Sequence, residues 1–438
     1  MAVPESSLSI AFQKAYMHRG EHNWLAVALW CFLAMLLGLG LGGLWRSPPI
    51  HDEITYYYPA LEAYAKHLPE IWLNPPFPGP PTGLLLQLPV FYAFDGSWVA
   101  LRAFSTLAAA ATSIVLFSYL RRRGTSHREA AHLLMMSASP FVLYPAFIFK
   151  HHSFMLLFLV SALVLWQKVV IEKASPYLLV ACSLLLTLAI TTNQLVAPVC
   201  VGLAFEAWRT RAEASSVLWW WRAAAALVPI AVLGMFFLTW HGVMPPAYRA
   251  NPVVQGYPLG QVRPAQVLAC FLVLGLWMAP SLGLDRKSLI RSAVLTVPFG
   301  LAFYGWNGYR ATMPFFDTIV GPISSALRFI SARSLVVAAA VGGLLCGLGT
   351  EFVLRGRHEG RGVIRLDVLV VSYLGMMLVV PYLFESYYFI LFVTACFVLR
   401  AKIAEAWPSP IVVLHRSMMV VMGIVYTVFK VSGIGGPG

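Results

Sequence analysis

Charge is what this chain has least of. Asp, Glu, Lys and Arg together make up 11% of its 438 residues while hydrophobic residues make up 59%, a balance that no soluble domain of this length keeps in solution. Cysteine is also scarce. Cys31, Cys182, Cys200, Cys270, Cys346 and Cys396 all fall inside apolar runs. None is placed for a disulfide in a loop, no CxxC or Cys/His metal spacing occurs, and their plain reading is small core hydrophobes. There is no low-complexity tract, defensible repeat or soluble domain. A cleavable leader is not expected, because the first apolar run begins near residue 24 and is long enough to span a bilayer.

What is present is a succession of apolar runs. Stretches of about 20 residues lie near 24–45, 98–120, 130–149, 154–170, 223–240, 266–283, 334–354, 366–383 and 410–429, with shorter runs near 177–191, 195–207, 292–305 and 386–399. The chain is therefore expected to be an all-α polytopic membrane protein of about 11–13 transmembrane helices, forming one integral domain over 1–438. Thr191-Thr192-Asn193-Gln194 interrupts the run at 177–207. A polar break at that depth is tolerated only inside protein or beside a water-filled cavity.

The net charge of +13 suggests nucleic acid only until the charges are placed. Taking the N-terminus as cytoplasmic and alternating sides, 20 of the 31 basic residues fall inside, among them Arg121, Arg122, Arg123, Lys168, Lys173, Arg209 and Arg222. The positive-inside rule supports that orientation. The first loop, 46–97, is then extracytoplasmic, as are 241–265 and 306–333. No nucleic-acid partner is expected.

That first loop carries Asp52 and Glu53 side by side, just where the chain leaves the first span. If residues 51–56 begin a helix, the two carboxylates point about 100° apart, so one can meet a substrate while the other orients it or a neighbouring cation. Pro59 suits a first helical turn, Leu61, Ala65 and Leu68 line one face, and Glu62 and Lys66 pair four apart, which predicts a short helix at the membrane surface. The segment 74–83, NPPFPGPPTG, excludes regular structure and makes a stiff extended wall. The run 84–94 is too short to span and is expected to be re-entrant or interfacial. A plainer alternative has both acids only capping the following helix.

This order of features resembles the GT-C superfamily of membrane glycosyltransferases. Asp52-Glu53 after the first span, the helix following Tyr56-Tyr57-Tyr58, and Pro80-Pro81-Thr82-Gly83 leading into the second span carry the likeness. Leu101-Arg102 and Ser139-Pro140 resemble the protein O-mannosyl and aminoarabinose transferase branch. Thr192-Asn193-Gln194 and Glu385-Ser386-Tyr387-Tyr388 are similar to the dolichyl-phosphate-glucose α-1,2-glucosyltransferase family. The chain departs from this pattern after the third span, where many relatives have an acid and it has Lys150-His151-His152.

The resemblance implies a GT-C-like bundle and inverting transfer of a sugar from a polyprenyl phosphate to a hydroxyl of a glycan, lipid or protein, on the extracytoplasmic face of a bacterial inner membrane or the endoplasmic reticulum. Such transfer needs one base for the acceptor proton and cations for the departing phosphate. Asp52 is the expected base and Glu53 its support. Lys150, His151 and His152 are the leading phosphate-binding candidates, followed by Arg249 and Arg263 and then Arg310 and Arg328. Each of these cations has the alternative of a contact to lipid headgroups. His51, Tyr56, Tyr57, Asn193, Gln194, Glu385 and Tyr388 are expected to line the substrate site. No cofactor is expected: His51 beside Asp52 raises a divalent metal, but a lipid monophosphate leaving group can be served by basic side chains. No Gly-rich phosphate loop or dinucleotide fingerprint is present, which argues against a nucleotide-sugar donor. A transporter or lipid flippase would share the composition and the broken span, but would predict paired broken helices and acids buried mid-span. A non-catalytic membrane scaffold is the third reading.

Overall fold

The computed structural model describes residues 25–50, 52–71, 73–121, 134–135, 137–250, 264–278, 286–309, 319–320, 322–356, 364–377, 383–384 and 409–432. Helix α1 (Leu25–Leu41) precedes the first loop, which holds α2 (Tyr58–Ile71), α3 (Thr82–Leu85) and α4 (Leu88–Ala93). There follow α5 (Trp98–Arg121), α6 (Pro140–Ala146), α7 (His152–Val170), α8 (Leu178–Thr192), α9 (Ala197–Arg209), α10 (Ser216–Trp240) and α11 (Pro246–Arg249). The last described part holds α12 (Pro264–Met278), α13 (Arg286–Tyr309), α14 (Pro322–Ser331), α15 (Leu335–Gly356), α16 (Leu366–Met377) and α17 (Ser409–Ser432). Apart from helices, the described residues contain one two-residue parallel pairing, β1 (Ile319–Val320) with β2 (Leu383–Phe384).

Six of these helices are long and apolar enough to cross a membrane, within α5, α7, α10, α13, α15 and α17, and five shorter apolar helices accompany them. The architecture is therefore that of an all-helical membrane protein. Helix α7 is apolar all round and buried along most of its length, as the centre of a bundle must be. Helix α17 instead leaves Leu414, Met418, Val421, Val425 and Phe429 exposed at helical spacing, a stripe suited to lipid and not to water. Helix α15 packs closely against α13 because Gly343 and Gly347 stand four apart. A Cβ on either would lie 2.6 Å from a carbonyl oxygen of α13, that of Thr296 or Ser292.

Most expected spans are helices here, with two differences. The run 292–305 belongs to the 24-residue α13. The run 130–149 is not one straight helix in its described part: Ser139 is extended (φ −61°, ψ 151°) before Pro140, because a residue preceding proline is driven out of the helical region. The short α6 then delivers the chain to Lys150. The run 386–399 lies outside the described residues.

The first loop is helical around Pro59 as expected, but the irregular segment ends at Pro81 and not at Gly83, because Thr82 and Gly83 open α3. Glu53–Tyr57 forms a π-helical turn that runs into α2, and α2 kinks at His67. Pro69 has no N–H to donate to the Ala65 carbonyl. The Tyr92 hydroxyl, from α4, donates to it instead at 2.7 Å. In this way α4 is tied to α2.

Candidate functional site

Glu53 points inward and is fully buried. Its carboxylate accepts from Arg102 Nε at 3.0 Å and Nη2 at 2.5 Å, from the Phe149 N–H at 2.9 Å and from the Ile50 N–H at 3.0 Å. The last bond reaches back three residues, as the glutamate of a capping box does. Arg102, equally buried on α5, also donates to the carbonyls of Leu44, Ser47 and Pro48. A buried ion pair persists only when its remaining donors and acceptors are met in this way. The pair thus clamps the end of the first span, the start of the loop and residue 149 onto α5.

Asp52 leaves the same turn in another direction and pairs with Lys150, on the chain that emerges from α6. The two side chains are 22% and 10% exposed, so the pair sits at a rim and not in the core. Tyr57 and Tyr144 flank the ammonium, with Nζ 5.6 Å and 5.9 Å from their ring centroids. Tyr426 of α17 packs on Tyr144 at 5.7 Å, which brings the last described helix to the same place. Lys150 is positioned from both sides: Phe149 is held by Glu53, and His151 is held by the broken span.

That second hold fixes a proton. Asn193 Oδ1 accepts from the Leu195 N–H at 3.0 Å, so its amide nitrogen, 3.3 Å from His151 Nε2, must donate. His151 Nε2 is then the acceptor and its proton sits on Nδ1. Burial, with Lys150 beside it, pushes His151 down to about 3. The ring lies between Phe77 and Tyr57 at 5.2 Å and 5.5 Å and stacks on His152 at 4.6 Å. Gly83 packs so closely on His151 that a Cβ there would collide with it, and Thr82 Oγ1 donates to Thr191 Oγ1 at 2.8 Å. The proline segment thus ends against the broken span, where α8 stops at Thr192, Asn193 is extended and α9 begins at Ala197.

A further wall comes from the connection after α10. Trp240 Nε1 donates to the Leu73 carbonyl at 2.6 Å, and the Ala247 N–H donates to Asn74 Oδ1 at 2.9 Å. Tyr248 packs on Tyr56 at 6.5 Å. Arg249 Nη2 donates to the Trp240 carbonyl at 2.5 Å, while its buried Nε has no hydrogen-bond partner.

No protein-family model matches this chain, and no curated protein is significantly similar to it. The site is therefore read from its own geometry. The fold gathers Asp52, Glu53, Tyr56, Tyr57, Lys150, His151, His152 and Asn193 at one end of the bundle, with Arg249 in the adjoining connection. Gln194 is half-buried in the turn after Asn193, its Oε1 without a hydrogen-bond partner. Arg328 is exposed on α14, whose main packing partner is α15 and not an element of this site. His51, Arg263, Arg310, Glu385 and Tyr388 lie outside the described residues. Among the described residues no group of three or more His, Cys, Asp and Glu is placed to hold a metal. His151 is neutral in these surroundings and brings no positive charge to a phosphate.

Residue pattern alone missed three participants. Arg102 stood out only as part of a family-like dipeptide, and Tyr144 and Tyr426 did not stand out at all. An arginine inside an otherwise apolar run was the available signal for the first. The tyrosines had none.

Proposed function

We propose that this protein is an integral-membrane glycosyltransferase of the GT-C type, transferring a sugar with inversion from a polyprenyl monophosphate to an acceptor hydroxyl. The observation that carries this reading is the division of labour between the adjacent acids. Glu53 is committed to Arg102 and two backbone amides, whereas Asp52 meets Lys150 at the rim. A carboxylate and an ammonium side by side suit a reaction that takes a proton from one oxygen while another oxygen departs with negative charge.

Asp52 accepts the acceptor's hydroxyl proton as that oxygen bonds to the anomeric carbon. The bond from that carbon to the phosphate oxygen breaks, and its electron pair leaves with the polyprenyl phosphate. Lys150 faces the phosphate, with Arg249 as the second cation. Tyr56, Tyr57, Asn193 and Gln194 line the approach, and the proline segment keeps water from it. Glu53 and Arg102 position Asp52 and Lys150 without touching substrate. The site faces the extracytoplasmic side of a bacterial inner or endoplasmic reticulum membrane, and the acceptor is a glycan, lipid or protein.

Mass spectrometry of lipid-linked and surface glycans from cells with and without the gene tests this proposal. The expected result is loss of one sugar from an acceptor and accumulation of the matching polyprenyl phosphate sugar; identical profiles would end the reading. The polar break at Asn193 and Gln194 favours a second reading, a lipid flippase. A flippase would move a polyprenyl phosphate sugar across vesicles without consuming it, whereas a transferase releases free polyprenyl phosphate.

A further inference from the structure

We infer that Lys150 serves two anions in turn: it holds Asp52 while the site is empty and passes to the donor phosphate when the lipid-linked sugar binds, so that the donor itself frees the base. This rests on the proposed glycosyl transfer and adds a mode of regulation to it.

In the resting pair the carboxylate is occupied. Lys150 Nζ donates to Asp52 Oδ2, with the two side chains only 22% and 10% exposed. The ammonium therefore stands where an acceptor hydroxyl must come within hydrogen-bond reach to hand over its proton. That approach opens when the ammonium is drawn away.

The surroundings allow that exchange. The Lys150 backbone is pinned, since Phe149 N–H is bound by Glu53 and the Lys150 N–H by the Ile148 carbonyl at 2.8 Å. Its four-carbon stem remains a flexible arm with a compact charge at the tip. The Tyr57 and Tyr144 rings that flank Nζ give the cation favourable faces on either side as it moves. Arg102 cannot play this part, because its guanidinium already makes five hydrogen bonds to Glu53 and three carbonyls.

The step balances. Phosphate draws Lys150 from Asp52, and Asp52 takes the acceptor proton as the acceptor oxygen bonds to the anomeric carbon. The carbon–phosphate oxygen bond breaks with its electron pair going to the phosphate, whose added charge Lys150 neutralises. Loss of the proton from Asp52 to water restores its charge, and the returning ion pair displaces the polyprenyl phosphate.

The test is equilibrium binding of farnesyl monophosphate, with farnesol as control, to the purified full chain in detergent micelles. If Asp52 competes for Lys150, Asp52→Asn binds the phosphate about tenfold tighter than the wild type, although it removes the base. Lys150→Gln binds it about tenfold more weakly. In the double variant, Asp52→Asn gives no gain, because there is no lysine to release. Farnesol binds all four proteins alike. Should Lys150→Gln not fold with Asp52 left alone, the double variant, which is neutral, and Lys150→Arg supply the comparison. Unchanged binding in Asp52→Asn overturns the exchange while leaving glycosyl transfer standing. The same gain with and without Lys150 also overturns it, since simple repulsion between Asp52 and phosphate then explains the effect. If farnesyl phosphate binds neither the wild type nor Asp52→Asn better than farnesol does, the glycosyltransferase reading itself fails.

Discussion

Replacing Glu53 by glutamine is expected to damage the fold first and the chemistry only through it. The carboxylate accepts four N–H groups, two from Arg102 and one each from Phe149 and Ile50, and both charged side chains are fully buried. In a glutamine one oxygen becomes an NH₂ group. Whichever way the amide turns, one Arg102 N–H and one backbone N–H face a donor where they had an acceptor. Losing two hydrogen bonds to a charged group costs about 1.5–3 kcal/mol each. Breaking a buried ion pair by removing one partner costs about 3–5 kcal/mol, so the two routes agree. Thermal unfolding of the purified protein in detergent, read by size-exclusion profile, should show Glu53→Gln far less stable than the wild type. Glu53→Gln combined with Arg102→Met should lose less than the sum of the single losses, because no charge is then left buried alone. A Glu53→Gln variant that unfolds with the wild type, or strict additivity in the double variant, would refute the brace.

Three further outcomes are expected. His151 is held below its ordinary range, so the unfolded chain takes up its proton near pH 6.5 while the folded one does not until about pH 3. Stability from this residue is therefore complete above pH 6.5 and falls by up to about 1.4 kcal/mol per pH unit below it; His151→Phe should show a shallower decline between pH 6.5 and 5, and equal slopes would contradict its buried neutral state. Gly343→Ala forces a Cβ to within 2.6 Å of the Thr296 carbonyl and should cost about 1–3 kcal/mol in the same unfolding assay, whereas wild-type stability would mean that α13 and α15 do not pack through this glycine. In a background with the native cysteines replaced, an impermeant thiol reagent should label Val243→Cys from the extracytoplasmic side and Glu172→Cys from the cytoplasmic side; the reverse pattern would overturn the orientation and the side of the reaction.

Local pattern carried much of the fold. The helix around Pro59, the irregular stretch from Asn74 to Pro81 and the break at Asn193 were legible, because each depends on neighbours within a few residues; that Thr82 and Gly83 open a helix was not. The departure of Asp52 and Glu53 in different directions followed from helical geometry alone. What Glu53 meets did not, since Arg102 lies 49 residues further on. Nor did the pairing of Asp52 with Lys150, 98 residues away. The Lys150-His151-His152 run read as three phosphate-binding candidates because sequence shows residue types but not burial. In the fold only Lys150 reaches the rim, while His151 is spent on Asn193 and the aromatic rings. The run at 130–149 looked continuous because hydropathy does not register the backbone restraint that Pro140 places on Ser139.

The most direct measurement is turnover of a polyprenyl phosphate sugar by purified protein in vesicles, read as release of free polyprenyl phosphate by mass spectrometry across a panel of sugars and acceptors. The wild type should release polyprenyl phosphate with at least one sugar, and folded Asp52→Asn should be slower by about 10²–10⁴, the contribution of one general base. A wild type that releases none with any sugar, or an Asp52→Asn variant that turns over at the wild-type rate, would contradict the assignment of Asp52 as the base of a glycosyl transfer.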